Sequence, residues 1–368
     1  MVRELTIDGR RIADDEPVYG IAEIGHNHEG DPRKAKAMIN HAKLAGASAI
    51  KFQTRHPKEV YAPSDAKGAY FYKSSNPQWM DETYGKHREL LEFSQEQWEE
   101  LFDYCRTKAG ITAFSTPFDF SSADQLDELG VPAFKIASGD ATNIPLIEHV
   151  AAFGKPMIVS TGGLEIEDVD RVYETLTGRA HFALLQCSCI YPAPDDSLNI
   201  KVITQYRQRY NCVIGLSTHN PGWMPTVGAV SLGARIFEHH YTNDRTWKGT
   251  DNPFSLTSDM FRELIDACGV VQSALGMDHK AQDPREEEPT TERQKKLVWA
   301  KSAIDGAVLT REHFNILSPG DGVPPYRIGD FIGRRVVRDT KEDTDVSWGD
   351  VLMAGIGEPE EEEEMTRV

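Results

Sequence analysis

The stretch ARIFEHHYTNDRTWKGTDNPFSL, residues 234–256, decides how the rest of the chain is read. It opens as a strand. Ile236, Phe237 and Tyr241 favour extended backbone, and Gly233 just before them ends a helical pattern. Side chains in a strand alternate faces, so Glu238 and His240 share one face while His239 takes the other. A carboxylate and an imidazole thus converge at the C-terminal end of a strand, and a polar loop follows at once. In parallel α/β architectures ligands bind at that end. Taken alone, the stretch also fits a core histidine beside a structural glutamate. What counts against that is the way several other strands end.

Seven further apolar, β-rich runs precede it: 18–25, 49–54, 111–117, 133–138, 156–161, 182–187 and 213–218. Most are near-continuous in apolar character, as strands buried on both faces are. Helical segments alternate with them. Residues 32–46 end in Gly, 94–110 open with Ser94 and Gln97 at capping-box spacing, 121–130 run from Ser to Gly, and 143–154 carry Pro145 in the first turn. Eight β–α alternations within about 260 residues predict an α/β chain folded as a (β/α)8 TIM barrel. A doubly wound open sheet is the structural alternative.

Working outward, residues 1–17 read as a short lead-in. The loop after the second barrel strand, from about His56 to Phe93, is long enough to be a lid or an insertion packed on another subunit. Domain boundaries are expected at 1–276 for the barrel, 277–296 for a charged, proline-bearing linker and 297–355 for a small, mostly β domain. An acidic tail over 356–368 should be solvated.

Bulk properties exclude several classes. The chain has 368 residues and a net charge of −18, unsuited to a nucleic-acid or anionic-membrane surface. No apolar run approaches the ~20 residues that span a bilayer, and the polar start lacks a secretory h-region. Five cysteines, odd in number and without zinc-type spacing apart from Cys187-x-Cys189, read as reduced thiols of a cytoplasmic protein.

The strand ends carry chemistry. The first ends in Glu23, with His26, Asn27 and His28 after it. The second carries Lys51 and Gln53 on one face, and the third ends Ser115-Thr116-Pro117. Lys135 lies in the fourth, followed by Ser138-Gly139-Asp140; the fifth ends Ser160-Thr161-Gly162-Gly163; the sixth gives Cys187, Cys189 and Tyr191. Ser217 and His219 share a face at the seventh. A lysine inside an apolar strand is costly unless it meets an anion, and two of them at one barrel mouth point to an anionic substrate. His219 and His240, inward-facing by parity on adjacent strands, suit a divalent metal whose shell the substrate completes; a hydrogen-bonded pair of core histidines is the competing reading.

Nine segments then carry a resemblance: AEIGHNHEGD (22–31), IKFQT (50–54), STPFD (115–119), KIASGDATNIPLI (135–147), GKPMIVSTGG (154–163), QCSCIYPAP (186–194), GLSTHN (215–220), GARIFEHHYTNDRTWKGTD (233–251) and SPGDGVPP (318–325). In this order and spacing, over about residues 16–355, the chain resembles the sialic acid synthases, which condense phosphoenolpyruvate with an N-acylated sugar aldehyde. The resemblance implies an antifreeze-like domain over 297–355, swapped across a homodimer to cover the partner's site. It further implies His219 and His240 as ligands of Mn²⁺ or another divalent metal, and Lys51, Thr116, Lys135, Ser138 and Ser217 as the phosphoenolpyruvate set. Glu23 would handle the attacking water. Asp140, Tyr191, Glu238 and Asp251 would face the sugar. Three positions depart from the family pattern: Cys189 stands where many relatives have Asn, Thr218 where Asp is usual, and Ser318 where Arg contacts the acyl amide in relatives acting on N-acetylmannosamine. A metal-dependent sugar isomerase or epimerase, or a non-catalytic sugar-phosphate binder of the same fold, remain as alternative readings.

Overall fold

In the computed structural model the described residues are 3–61 and 83–352. The chain divides into two compact units, Met1–Gly276 and Met277–Val368. The stretch 62–82 of the long loop and the acidic tail lie outside the described residues.

The first unit begins with an antiparallel hairpin, β1 (Glu4–Ile7) and β2 (Arg10–Ala13). Its turn residues Asp8 and Gly9 both have positive φ, 51° and 75°, the geometry of a two-residue hairpin turn. Leu5, Ile7 and Ile12 are buried in the main core, each worth roughly 1.5–3 kcal/mol when fully buried. Asp8 accepts from the Thr112 hydroxyl and Arg10 donates to Ser48, so the hairpin sits at the N-terminal ends of the barrel strands. This corrects the reading of 1–17 as a mere lead-in; the Asp-Gly pair was its signal.

Eight parallel strands follow: β3 (Tyr19–Gly25), β4 (Ala49–Thr54), β5 (Thr112–Pro117), β6 (Phe134–Ile136), β7 (Met157–Ser160), β8 (Phe182–Gln186), β9 (Val213–Thr218) and β10 (Ile236–His240). They close in the order β10-β3-β4-β5-β6-β7-β8-β9, which removes the doubly wound alternative. Every residue of β3, β7, β8, β9 and β10 is buried, as the apolar runs predicted. Helices cover the outside. The one at Gln95–Tyr104 shows the Ser94–Gln97 capping box, and the one at Phe120–Glu128 is capped by Asp119 rather than Ser121. The last, Ser258–Leu275, closes the ring.

The second unit has its own core around Leu297, Trp299, Phe314, Phe331 and Val336. Strands β11 (Lys296–Trp299) and β12 (Phe314–Leu317) pair antiparallel, and isolated bridges such as Ala303↔Thr340 and Val336↔Val351 tie in the rest. Trp299 stacks on Phe314 at 5.3 Å between centroids. Before β11, residues 277–296 carry a 3-10 turn at Pro284–Glu286 and a short helix at Glu287–Arg293. Ser318 accepts from Lys295 Nζ at 2.7 Å.

Candidate active site

The parity argument for β10 holds atom by atom. His239 points outward, where its Nε2 meets the Thr226 hydroxyl at 2.6 Å on the helix Met224–Ser231. Glu238 and His240 point inward and line a cavity of about 1030 Å³ at the C-terminal mouth of the barrel. The same cavity is lined by Glu23, Lys51, Thr116, Lys135, Ser138, Tyr191, Ser217, His219 and Asp251. Of the twelve residues to which the resemblance gives a role, Asp140 is the one not among the lining groups; it ends the 3-10 turn Ser138–Asp140, and burial raises its carboxyl.

One wall is a lattice of charges and hydroxyls. Lys51 Nζ lies 2.5 Å from Glu23 Oε2, donates to Thr116 Oγ1 at 2.9 Å and stands 3.9 Å from Glu238 Oε1. Lys135 Nζ donates to Ser160 Oγ at 2.6 Å and to the Ile136 carbonyl at 2.8 Å. Gln53 donates to Glu23 Oε1, and Ser217 to Glu238 Oε1, at 2.8 and 3.2 Å. Burial raises the Glu23 carboxyl and lowers the Lys135 ammonium. At Glu238 burial pushes upward too, but Lys135, Lys51 and His240 together outweigh it, so this carboxyl is held low and stays ionised. At Gly162 a Cβ would meet Cys189 Sγ at 2.8 Å and Ser138 Oγ at 2.9 Å, so only glycine lets this turn approach; its N–H donates to Ser138 Oγ at 2.9 Å.

The facing wall carries the histidines. Their ring centroids are 5.3 Å apart. His219 Nδ1 lies 2.8 Å from the Ser188 carbonyl, which only accepts, so Nδ1 bears the proton and Nε2 keeps its lone pair. Burial and the neighbouring His240 hold His219 down to about 3, so it is neutral at any ordinary pH. His240 Nδ1 is buried without a hydrogen-bond partner, 3.7 Å from Asp251 Oδ2. Glu238 Oε2 likewise has none. Tyr191 stacks on His219 at 3.7 Å. The Thr218 hydroxyl accepts from the Asn220 N–H at 3.1 Å. Among the described residues the one His/carboxylate trio close enough to share an ion is His56, Glu59 and Asp119, which does not border this cavity. Asp119 there is taken up capping its helix and holding His56.

Sequence reasoning missed the arginines. Arg55 and Arg88 line the cavity. Arg55 continues the period-two series Lys51, Gln53, Arg55, a signal that was there to be read. Nothing in the local pattern marks Arg88, because it arrives on the helix Tyr84–Leu91 from the far side of the long loop.

Residues 38–280 match the NeuB family. The human N-acetylneuraminate-9-phosphate synthase is 36% identical over 339 residues, covering 91% of this chain and 93% of that protein. The chain belongs to the NeuB family. A relative from Campylobacter jejuni, N,N'-diacetyllegionaminic acid synthase, is 31% identical over 327 residues, spanning 88% of this chain and 97% of its own. Among solved structures, the N-acetylneuraminic acid (sialic acid) synthetase of Leptospira borgpetersenii, in complex with citrate, superposes with a TM-score of 0.71 at 30% identity. It covers 78% of this chain and 95% of that one. This NeuB-family chain is therefore an enzyme of the nonulosonic acid synthase group, a transferase. No helix among the described residues is long and apolar enough to cross a membrane.

Proposed function

We propose that this enzyme condenses phosphoenolpyruvate with an N-acylmannosamine-type sugar aldehyde, giving a nonulosonic acid and inorganic phosphate. The observation that carries the reading is the meeting of two buried lysines, Lys51 and Lys135, with two inward histidines, His219 and His240, around one cavity. An isomerase needs paired acid and base groups but has little use for two ammonium groups set for an anion.

Each residue then has a task. Lys51 and Lys135 hold the phosphate and carboxylate of phosphoenolpyruvate, with Thr116, Ser138 and Ser217 as hydroxyl donors. Tyr191, Glu238 and Asp251, which line the cavity, face the sugar; Asp140, outside the lining, is left to a contact at the margin. C3 of phosphoenolpyruvate attacks the open-chain aldehyde carbon, whose oxygen takes a proton and becomes a hydroxyl; the oxocarbenium-like centre left at C2 adds water, and the adduct collapses to the ketone as inorganic phosphate leaves with C–O cleavage. Glu23, its carboxyl raised by burial and pinned by Lys51 and Gln53, takes the proton of that water. His219 and His240 suit Mn²⁺ or another divalent ion: one imidazole has its tautomer fixed for ligation by Ser188, and the other has an unpartnered buried nitrogen. Such an ion, when bound, supplies Lewis-acid polarisation of the aldehyde carbonyl.

We further assign the 297–355 segment as an antifreeze-like cap of a domain-swapped homodimer, and the enzyme to the cytoplasm. Ser318 in that segment, too short to reach as a guanidinium does, argues for an acceptor other than N-acetylmannosamine: a different N-acyl sugar, a deaminated one or a larger one. The test is phosphate release from phosphoenolpyruvate with Mn²⁺ and a panel of N-acylmannosamines, other hexoses and their 6-phosphates. Strict acceptor dependence supports the condensation. Sugar interconversion without phosphoenolpyruvate points to the isomerase, and binding with neither reaction to a non-catalytic protein.

A further inference from the structure

The loop that follows β10 is tied down from the neighbouring strand. It runs from Thr242 to the 3-10 turn Asn252–Phe254, and Trp247, Gly249, Thr250 and Asp251 of it line the cavity. Its first half is held from the same side of the ring. Asp244 Oδ1 accepts from the Thr246 N–H and hydroxyl at 2.8 and 2.7 Å. Arg245 donates to the Ser255 and Pro221 carbonyls, each at 2.6 Å. The second half is held by the turn after β3. Glu29 Oε1 accepts the Gly249 N–H at 3.1 Å, and Glu29 Oε2 lies 2.6 Å from Lys34 Nζ. That ammonium sits over the Trp247 ring, 4.4 Å from its centre. One carboxylate thus grips the loop twice, at Gly249 directly and at Trp247 through Lys34. Gly249 can take no side chain, because a Cβ would come within 2.5 Å of Asn252 Nδ2. Glu29 holds its place with a left-handed backbone, φ 53°, a conformation uncommon for a residue with a Cβ and kept where the surroundings fix it.

What the grip controls follows from its position. Two residues after Gly249 comes Asp251, whose Oδ2 lies 3.7 Å from His240 Nδ1. The charge of Asp251 also reaches Tyr191 and His219, the other groups of that wall. Glu29 and Lys34 themselves do not line the cavity. Their ion pair is largely shielded, with side chains 12% and 33% exposed, so water screens it less than a surface pair. We propose that Glu29 and Lys34 are positioning residues that set the loop 247–251 against His240 and so tune the acceptor half of the reaction. The phosphoenolpyruvate set stands on β4, β5, β6 and β9 and needs neither residue. A small displacement of a binding loop is enough to lower affinity for the one reactant that the loop touches. The inference rests on the condensation reading for the identity of the acceptor, but not for the existence of the grip.

A double-mutant cycle tests it. Wild type, Glu29→Ala, Lys34→Met and the double variant are assayed for phosphate release with Mn²⁺, using whichever N-acylmannosamine, hexose or 6-phosphate turns over fastest. Glu29→Ala is expected to raise the acceptor KM about tenfold and to leave the phosphoenolpyruvate KM within about twofold. Lys34→Met should raise the acceptor KM about threefold, and the double variant should be no worse than Glu29→Ala. Glu29→Gln keeps an oxygen for the Gly249 N–H and should bring the acceptor KM back to within about threefold of wild type. Additive effects in the double variant overturn the proposal. So does an equal rise in the phosphoenolpyruvate KM, or a Glu29→Gln variant as impaired as Glu29→Ala. Fluorine spectra of protein carrying 5-fluorotryptophan test the grip without turnover. The chain has six tryptophans, and Trp247→Phe assigns the resonance of Trp247. Lys34→Met and Glu29→Ala should each shift that resonance and leave those of Trp299 and Trp348 in the second unit in place. A Trp247 resonance that moves in neither variant overturns the proposal even where no acceptor reacts. Shifts in both without turnover of any acceptor leave the grip standing and remove the condensation reading instead. Lys34 is a third exposed, so its variant carries the test where Glu29→Ala does not fold.

Discussion

The two walls of the cavity are built on opposite principles. On the side of β4 to β7 both lysines are already satisfied: Lys51 by Glu23 and Thr116, Lys135 by Ser160 and a carbonyl. On the side of β9 and β10 His240 Nδ1 and Glu238 Oε2 lack hydrogen-bond partners, whereas Glu23 Oε2 opposite, also without a hydrogen bond, is paired with the Lys51 ammonium at 2.5 Å. A saturated wall has its charges aimed before substrate comes and needs little rearrangement to receive an anion. An unsaturated wall carries a desolvation cost that only a ligand relieves. The contrast suits a reaction in which one reactant is bound by fixed dipoles and the other is activated by something that binds reversibly.

The sharpest way to break this contrast is at the unsaturated wall. His240→Ala should abolish Mn²⁺-dependent phosphate release, a loss of about 10³-fold or more, the scale of Lewis-acid stabilisation. Full turnover by that variant would end the assignment of His219 and His240 to a metal. At the saturated wall, Lys135→Met is expected to lower kcat/KM for phosphoenolpyruvate about 10²- to 10³-fold while the variant still binds Mn²⁺. Equal loss of metal binding, read by paramagnetic relaxation, would show that the walls are not separable.

A smaller effect concerns the support behind the arginines. Burial pushes Glu92 up to about 7 against the pull of Arg55. Between its unfolded value of 4.5 and about 7 the folded chain holds a proton that the unfolded chain has released. Stability then falls as pH rises through that window, by up to about 3 kcal/mol at ~1.4 kcal/mol per unit. Glu92→Gln should flatten the dependence of melting temperature on pH between 5 and 8; an unchanged slope would remove Glu92 from the account. The smallest change in turnover is expected at Thr226→Val, which strips the outward His239 of its partner. That should cost about 1–3 kcal/mol of stability and leave kcat within about twofold. A catalytic loss there would mean that the outward face is also part of the machinery.

Much of this was legible before any coordinates. The run 49–54 is β4 residue for residue, and 213–218 is β9, because strands buried on both faces announce themselves by continuous apolarity. Parity along β10 separated His239 from its two neighbours. Three things were not legible. The hairpin β1–β2 is charged on its exposed face and short, so only its Asp-Gly turn betrays it. Arg88 reaches the cavity from 33 residues beyond Arg55, with no periodicity linking the two. The Asp119 cap was hidden because Ser121, two residues later, carries the same chemistry.

That hairpin has a practical corollary. Leu5, Ile7 and Ile12 pack into the core at the N-terminal ends of the strands, while the cavity opens at their C-terminal ends. A surface attachment made at the Asp8–Gly9 bend would grip the molecule by its floor and leave that doorway to solvent, an orientation well suited to an immobilised catalyst.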